Sequence, residues 1–160
     1  MRGSRGTSIP VVALVVFRVG ARELCLRVEH VVEILRMVAI TPVPGAAPWI
    51  AGVINLRGRT VPVVDLRVRL GLPPAVPGLA TPIVVALVGD RPVGVIVDQV
   101  AGVVHVPDDA LDPPEGLSVS GSAVAGLAHV QDRLVIILDP ASLAEGSEHL
   151  VLPEHALDAG

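Results

Sequence analysis

Gly52-Val53-Ile54-Asn55-Leu56-Arg57-Gly58-Arg59-Thr60-Val61-Pro62-Val63-Val64-Asp65-Leu66 is the stretch on which the fold turns. It reads as a hairpin, with an apolar strand over 51–56, a turn at Arg57-Gly58 and a second apolar strand over 59–65. Leu66 to Leu70 has room for one helical turn after it. The hairpin explains Gly58 and the alternation, but it places Asn55 and Arg57 in or beside very apolar strands. Polar groups so placed must find hydrogen-bond partners. Arg57 can pin a loop through its five donors or face a partner.

Outward from the hairpin, valine-rich runs alternate with Gly- and Pro-containing breaks. That favours short strands punctuated by turns. Strands are expected over 11–19, 23–28, 81–88, 92–97, 102–106, 124–130 and 134–139. Val31, Val32, Ile34 and Leu35 recur at helical spacing, which predicts a short amphipathic helix after Glu29, with His30 on its polar side. Residues 37–41 are expected to be extended, 71–80 to be a Pro-rich connector, and 108–122 a polar loop. A terminal helix is expected to begin at Pro140, and a loose tail to cover 146–160.

The chain repeats itself. Gly20-Ala21-Arg22, with its strand ending Val28-Glu29, matches Gly89-Asp90-Arg91, with its strand ending Val97-Asp98, at an offset of 69 (89 − 20 and 98 − 29). Ala51-Gly52 leads to Val64-Asp65, and Ala125-Gly126 leads to Leu138-Asp139, with the same glycine-to-aspartate offset of 13 each time (65 − 52 and 139 − 126). This predicts a single domain over 1–160 made of two related β subdomains, at about 10–70 and 80–145. Val93-Gly94-Val95-Ile96-Val97 is apolar on both faces, so it needs cover on both sides. Two small barrels packed together supply that cover. A doubly wound α/β fold needs long periodic helices between strands, and no connection here has them.

Composition narrows the function. Aromatics are only 1% of the 160 residues, Phe17 and Trp49, so stacking platforms for single-stranded nucleic acid are missing. A net charge of −4 gives no basic footprint for phosphate backbones. The longest wholly apolar run, residues 9–17, is less than half a membrane span, so direct membrane insertion is not expected. Cys25 is the only cysteine and lies in an apolar run, fitting a buried thiol and a reducing cytoplasm.

Catalytic constellations are not evident. Asp65, Asp98 and Asp139 each end an apolar strand, read either as a Mg²⁺-binding cluster or as caps of the turns that follow. The equivalence of Asp65 and Asp139 in separate halves favours caps. None of His30, His105, His129, His149 and His155 pairs with another at zinc-motif spacing. Ser118, Ser120 and Ser122 lack the strand–turn–helix setting of a nucleophile elbow, and the chain has no lysine for Schiff-base chemistry. No enzyme and no cofactor are expected. A metal-dependent enzyme using the three aspartates and a barrel binding a small apolar ligand are the alternatives.

The hairpin resembles the signature of the CheW-like chemotaxis adaptor family, in its Asn55-Leu56-Arg57-Gly58 core and its Val61-Pro62-Val63-Val64-Asp65-Leu66 continuation. Leu14-Val15-Val16-Phe17, Val31 with Glu33-Ile34, the approach over 42–52, Val93 to Val100 and the strand 134–139 resemble the family in the same order, covering about 10–145. The resemblance implies a stand-alone adaptor of all-β fold, two packed five-stranded SH3-like barrels with short helices. It implies two partners, the cytoplasmic tip of chemoreceptors and the regulatory domain of the chemotaxis histidine kinase, and it allows self-association. The site would be cytoplasmic, at membrane-bound receptor arrays. By the same resemblance, Val31 and Glu33, the hairpin residues Gly52, Asn55, Arg57 and Gly58, and Val100 near the groove between barrels are the partner-binding residues. Leu24 and Cys25 stand where the family often has aromatics.

Overall fold

The computed structural model describes residues 9–114 and 123–147. Ser118, Ser120, Ser122, His149, His155 and the expected tail from 148 lie outside them. Among the described residues, eleven strands run in chain order: β1 (Val11–Val19), β2 (Arg22–Arg27), β3 (Val31–Arg36), β4 (Ile50–Leu56), β5 (Arg59–Asp65), β6 (Pro82–Val88), β7 (Arg91–Ile96), β8 (Gln99–Pro107), β9 (Leu111–Asp112), β10 (Val124–Val130) and β11 (Arg133–Leu138). Two one-turn helices, α1 (Leu66–Arg69) and α2 (Pro140–Leu143), follow β5 and β11.

The strands form two sheets, ordered β8-β1-β2-β11-β10-β9 and β3-β6-β7-β5-β4. Both sheets cross the expected division at 10–70 and 80–145. The hairpin β1–β2 joins the sheet of β8 to β11, and the hairpin β6–β7 joins the sheet of β3 to β5. Each exchanged hairpin enters through a parallel pairing, β11 with β2 and β5 with β7. The repeat is therefore one of sequence order, with one hairpin of each half traded to the other.

Each sheet closes in the same way. The chain leaving β3 crosses to β4, where Thr41 and Val53 exchange backbone hydrogen bonds of 2.8 and 2.9 Å. In the other sheet β9 pairs with β10, and a 3-10 turn at Asp108–Ala110 links it to β8. A Cβ on Gly52 would lie 2.2 Å from the carbonyl oxygen of Thr41, and one on Gly126 2.6 Å from that of Asp112. Glycine is thus the residue that lets each closing strand approach. Closure shortens the exposed sheet edges.

The doubly apolar strands are covered on both sides. On β1, Leu14 and Val16 pack with Cys25, Val106, Ala128 and Val135 inside one barrel. Their neighbours Val15, Phe17 and Val19 face the other way, into a cluster with Val84, Ala86 and Val95 of the second sheet, Val97 just beyond it and Leu66 of α1. That shared cluster joins the barrels, and each fully buried large side chain in it contributes about 1.5–3 kcal/mol. Burial pushes the Cys25 thiol up to about 12, so it is an unreactive core group.

Two expectations are wrong: Leu111–Asp112, expected within a polar loop, form β9 against β10, and the helix expected after Glu29 is a strand. Residues 31–36 form an edge strand, paired with β6 from Val31↔Ala86 to Arg36↔Pro82. Val31, Glu33 and Leu35 are half-buried and Val32, Ile34 and Arg36 exposed, a period of two. β-branched side chains fit the pleat, and β6 supplies the partner that spacing alone does not reveal. Helical geometry is confined to a 3-10 turn at Val28–His30, and His30 ends it with Nδ1 buried and without a hydrogen bond.

Candidate functional site at the signature hairpin

The β4–β5 connection is a two-residue turn in which Arg57 (φ 51°) and Gly58 (φ 83°) both adopt left-handed backbone. This is the hairpin geometry that matches strand twist, and glycine meets it without strain. Asn55 fixes it, its side-chain oxygen accepting from the Gly58 N–H at 2.9 Å. Asn55, one of the two polar residues that the strand pattern left unexplained, thus has a specific partner.

Arg57 reaches from this turn to Glu33 on β3, at the opposite edge of the sheet. Its Nη1 and Nη2 donate to the two carboxylate oxygens at 2.6 and 2.8 Å. Such a fork fixes direction as well as distance. The Arg57 side chain is 70% exposed and Glu33 24%, so the pair lies at the surface. The hydrogen bonds from Arg57 hold the Glu33 carboxyl below its ordinary value, and those to Glu33 raise the Arg57 guanidinium. Beside the fork is a shallow cavity of about 180 Å³, lined by Val32, Leu56, Val61, Leu87 and Pro92.

The remaining expected residues fall in two places. Gly52 lies at the far end of β4, in the closing bridge, so its part is to shape the barrel. Val31 and Val100 both pack half-buried against the cluster between the barrels. They are separated by the repeat offset of 69 (100 − 31), and so are equivalent positions of the two halves. The arrangement joins Glu33, Arg57, Asn55 and Gly58 directly, sets Val31 on the same strand as Glu33, and places Val100 on the seam. Sequence reasoning missed the exposed apolar Val32 and Ile34, 52% and 46% accessible, because it assigned them to a helix.

The strand-end aspartates do other work. Asp65 accepts from the backbone N–H groups of Arg67 (3.0 Å) and Val68 (3.4 Å), capping α1. Asp139 accepts from Ala141 N–H (3.2 Å) and the Ser142 hydroxyl (3.0 Å), capping α2. Asp98 takes a fork from Arg67 Nε and Nη2 at 3.0 and 2.7 Å, and the Gly20 N–H at 2.7 Å. Among the described residues, no three His, Cys, Asp or Glu side chains come together as a metal-binding group, and no helix is long and apolar enough to cross a membrane.

Comparison with known proteins agrees with this architecture. The family model described as CheW-like domain matches residues 13–148. The chain is similar to the chemotaxis protein CheW of Bacillus subtilis (strain 168), 35% identical over 89% of this chain and 94% of that protein. It is similar to the chemotaxis protein CheW of Rhizobium meliloti (strain 1021), 34% identical over 84% and 88%. The crystal structure of the scaffolding protein TtCheW from Thermoanaerobacter tengcongensis superposes with a TM-score of 0.80 at 28% identity, covering 89% of this chain and 99% of that one. Two exchanged-hairpin barrels, the Asn55–Gly58 turn and a family match over nearly all of its length make this chain a member of the CheW-like domain family.

Proposed function

We propose that the protein is a non-enzymatic chemotaxis adaptor. It couples the helical cytoplasmic tip of chemoreceptors to the regulatory domain of the chemotaxis histidine kinase, at the cytoplasmic face of receptor arrays. The observation that carries this reading is the Glu33–Arg57 fork beside the cavity of Val32, Leu56, Val61, Leu87 and Pro92. An apolar patch next to a directional charge pair suits the ridge of an amphipathic helix, with apolar residues for affinity and the fork for register. The receptor-facing surface comprises Val31, Glu33, Asn55, Arg57, Gly58 and Val100, with Gly52 maintaining the barrel beneath it. The names of the relatives, chemotaxis protein and scaffolding protein, support the same role.

The test is kinase autophosphorylation in a reconstituted mixture of receptor signalling fragments, kinase and this protein. The adaptor reading expects activation only when all three are present, and attractant-bound receptor to reverse it. Equal kinase activity with and without the protein contradicts the reading.

A further inference from the structure

The repeat relates two sites that differ at two side chains, Asp98 against Glu29 and Arg67 against Ala141. At the first, Asp98 and Asp65 flank Arg67, whose guanidinium forks onto Asp98 while its Nη1 donates to the Pro73 carbonyl at 2.9 Å. The hairpin glycine Gly20 (φ 63°) donates to the same Asp98 carboxylate. The offsets of 69 and 74 (98 − 29 and 139 − 65) carry these positions onto Glu29 for Asp98, Gly89 for Gly20, Asp139 for Asp65 and Ala141 for Arg67 (141 − 67 = 74). The turn glycine and the helix cap are retained, since Gly89 has φ 64° and Asp139 caps its helix through Ala141 N–H as Asp65 does through Arg67 N–H. The arginine is not.

The first site lies beside the connector residues Ala75, Val76 and Pro77 and leaves about 40 Å³ open around Asp65, Arg67 and Asp98, whereas Glu29, His30, Val88, Gly89, Asp139 and Ala141 line a pocket of about 310 Å³. Among the described residues no arginine is paired with Glu29. His30, in the same lining, keeps a buried Nδ1 without a hydrogen-bond partner. Leu87, Val88 and Pro140 supply apolar wall for an aliphatic stem.

We infer that this pocket receives the guanidinium of an arginine presented by a partner protein, which forks onto Glu29 as Arg67 forks onto Asp98 inside the chain. A planar guanidinium meets a carboxylate with two parallel hydrogen bonds, which a lysine ammonium cannot do. The inference rests on the adaptor reading only for the source of the arginine.

The probe is the capped peptide acetyl-Gly-Arg-Gly-amide, titrated into the isolated ¹⁵N-labelled protein and read by amide chemical shifts. Expected are saturable shifts at Gly89, Ala141 and residues 28–30, with the Gly-Lys-Gly counterpart at least about fivefold weaker. Glu29→Gln abolishes them. Ala141→Arg, which places a guanidinium in the pocket from within, blocks the peptide while the spectrum stays folded. Arg67→Ala opens the first site, so that Gly20 now responds as well. No saturable shift, equal response to the lysine peptide, or binding unchanged by both Glu29→Gln and Ala141→Arg overturns the inference. Since receptor and kinase are absent, this result stands or falls separately from the adaptor reading.

Discussion

The hairpin tips of the two barrels occupy equivalent positions and differ in what they carry. Arg57-Gly58 closes β4–β5, and Gln131-Asp132, at the offset of 74 (131 − 57), closes β10–β11. Arg57 and Gln131 have almost the same left-handed backbone, φ 51° and 54°. Yet Arg57 forks onto Glu33, while the position equivalent to Glu33 at the offset of 69 (102 − 33) is Gly102. Asp132 lacks the left-handed backbone of its counterpart Gly58, so the second tip shares the strained first residue of the turn, and it has no fork. A left-handed residue at the tip belongs to the architecture, and the fork is an addition to one barrel that the other does without. This difference is the physical reason for assigning partner recognition to the first barrel's tip.

The largest expected effect lies in the shared architecture. Gly52→Ala drives a Cβ to 2.2 Å from a backbone oxygen and should destabilise the protein by roughly 3 kcal/mol or more in urea denaturation. Gly126→Ala meets its oxygen at 2.6 Å and should cost about 2 kcal/mol. Equal small losses at both would mean that the closing strands yield easily.

Next comes the fork. Arg57→Asn keeps a residue that tolerates left-handed backbone but removes the guanidinium. Receptor recruitment should fall roughly tenfold, on the scale of an interface hot spot, while the melting temperature stays close to that of the native chain. Gln131→Asn, the same change at the other tip, should leave recruitment unchanged. Equal loss from both would erase the distinction between the barrels.

Acid titration gives a smaller effect. Glu33 and Asp98 are both held below their ordinary values of 4.5 and 3.8, chiefly by arginine hydrogen bonds. The folded protein therefore binds these protons less readily than the unfolded chain. Their stabilisation is complete above the ordinary values and is lost as pH falls through the lowered ones. Urea midpoints should decline below about pH 4.5, and the decline should flatten partly in Arg57→Asn and partly in Asp98→Asn. The smallest effect is at the second tip, where Gln131→Asn should relieve backbone strain and stabilise by ~0.5 kcal/mol.

Much of this was legible in the sequence because strands here are short and sharply bounded. β5 spans Arg59–Asp65, as the run between Gly58 and the capping Asp65 required. Val31 to Leu35 misled because their spacing satisfies a helix and a strand alike, and only pairing with β6 decides between them. The exchange of hairpins was invisible for a related reason. A repeat says which segments are alike, and pairing partners are set by packing between segments far apart in the chain. Glu33 and Arg57 were each selected by family resemblance, but nothing in the sequence joined the strand of one to the turn of the other. The missing arginine at Ala141 was readable from the offset, once Arg67 was known to fill its own site.

Co-sedimentation of the purified protein with receptor signalling fragments, with and without kinase, puts the role of the fork to the sharpest test when the native chain is compared with Arg57→Asn. The native protein should sediment with receptor and bring kinase into an active complex, and folded Arg57→Asn should remain largely in the supernatant. Native protein that fails to sediment with its cognate receptor, or a variant that sediments equally well, would contradict the assignment of partner recognition to the first barrel's tip.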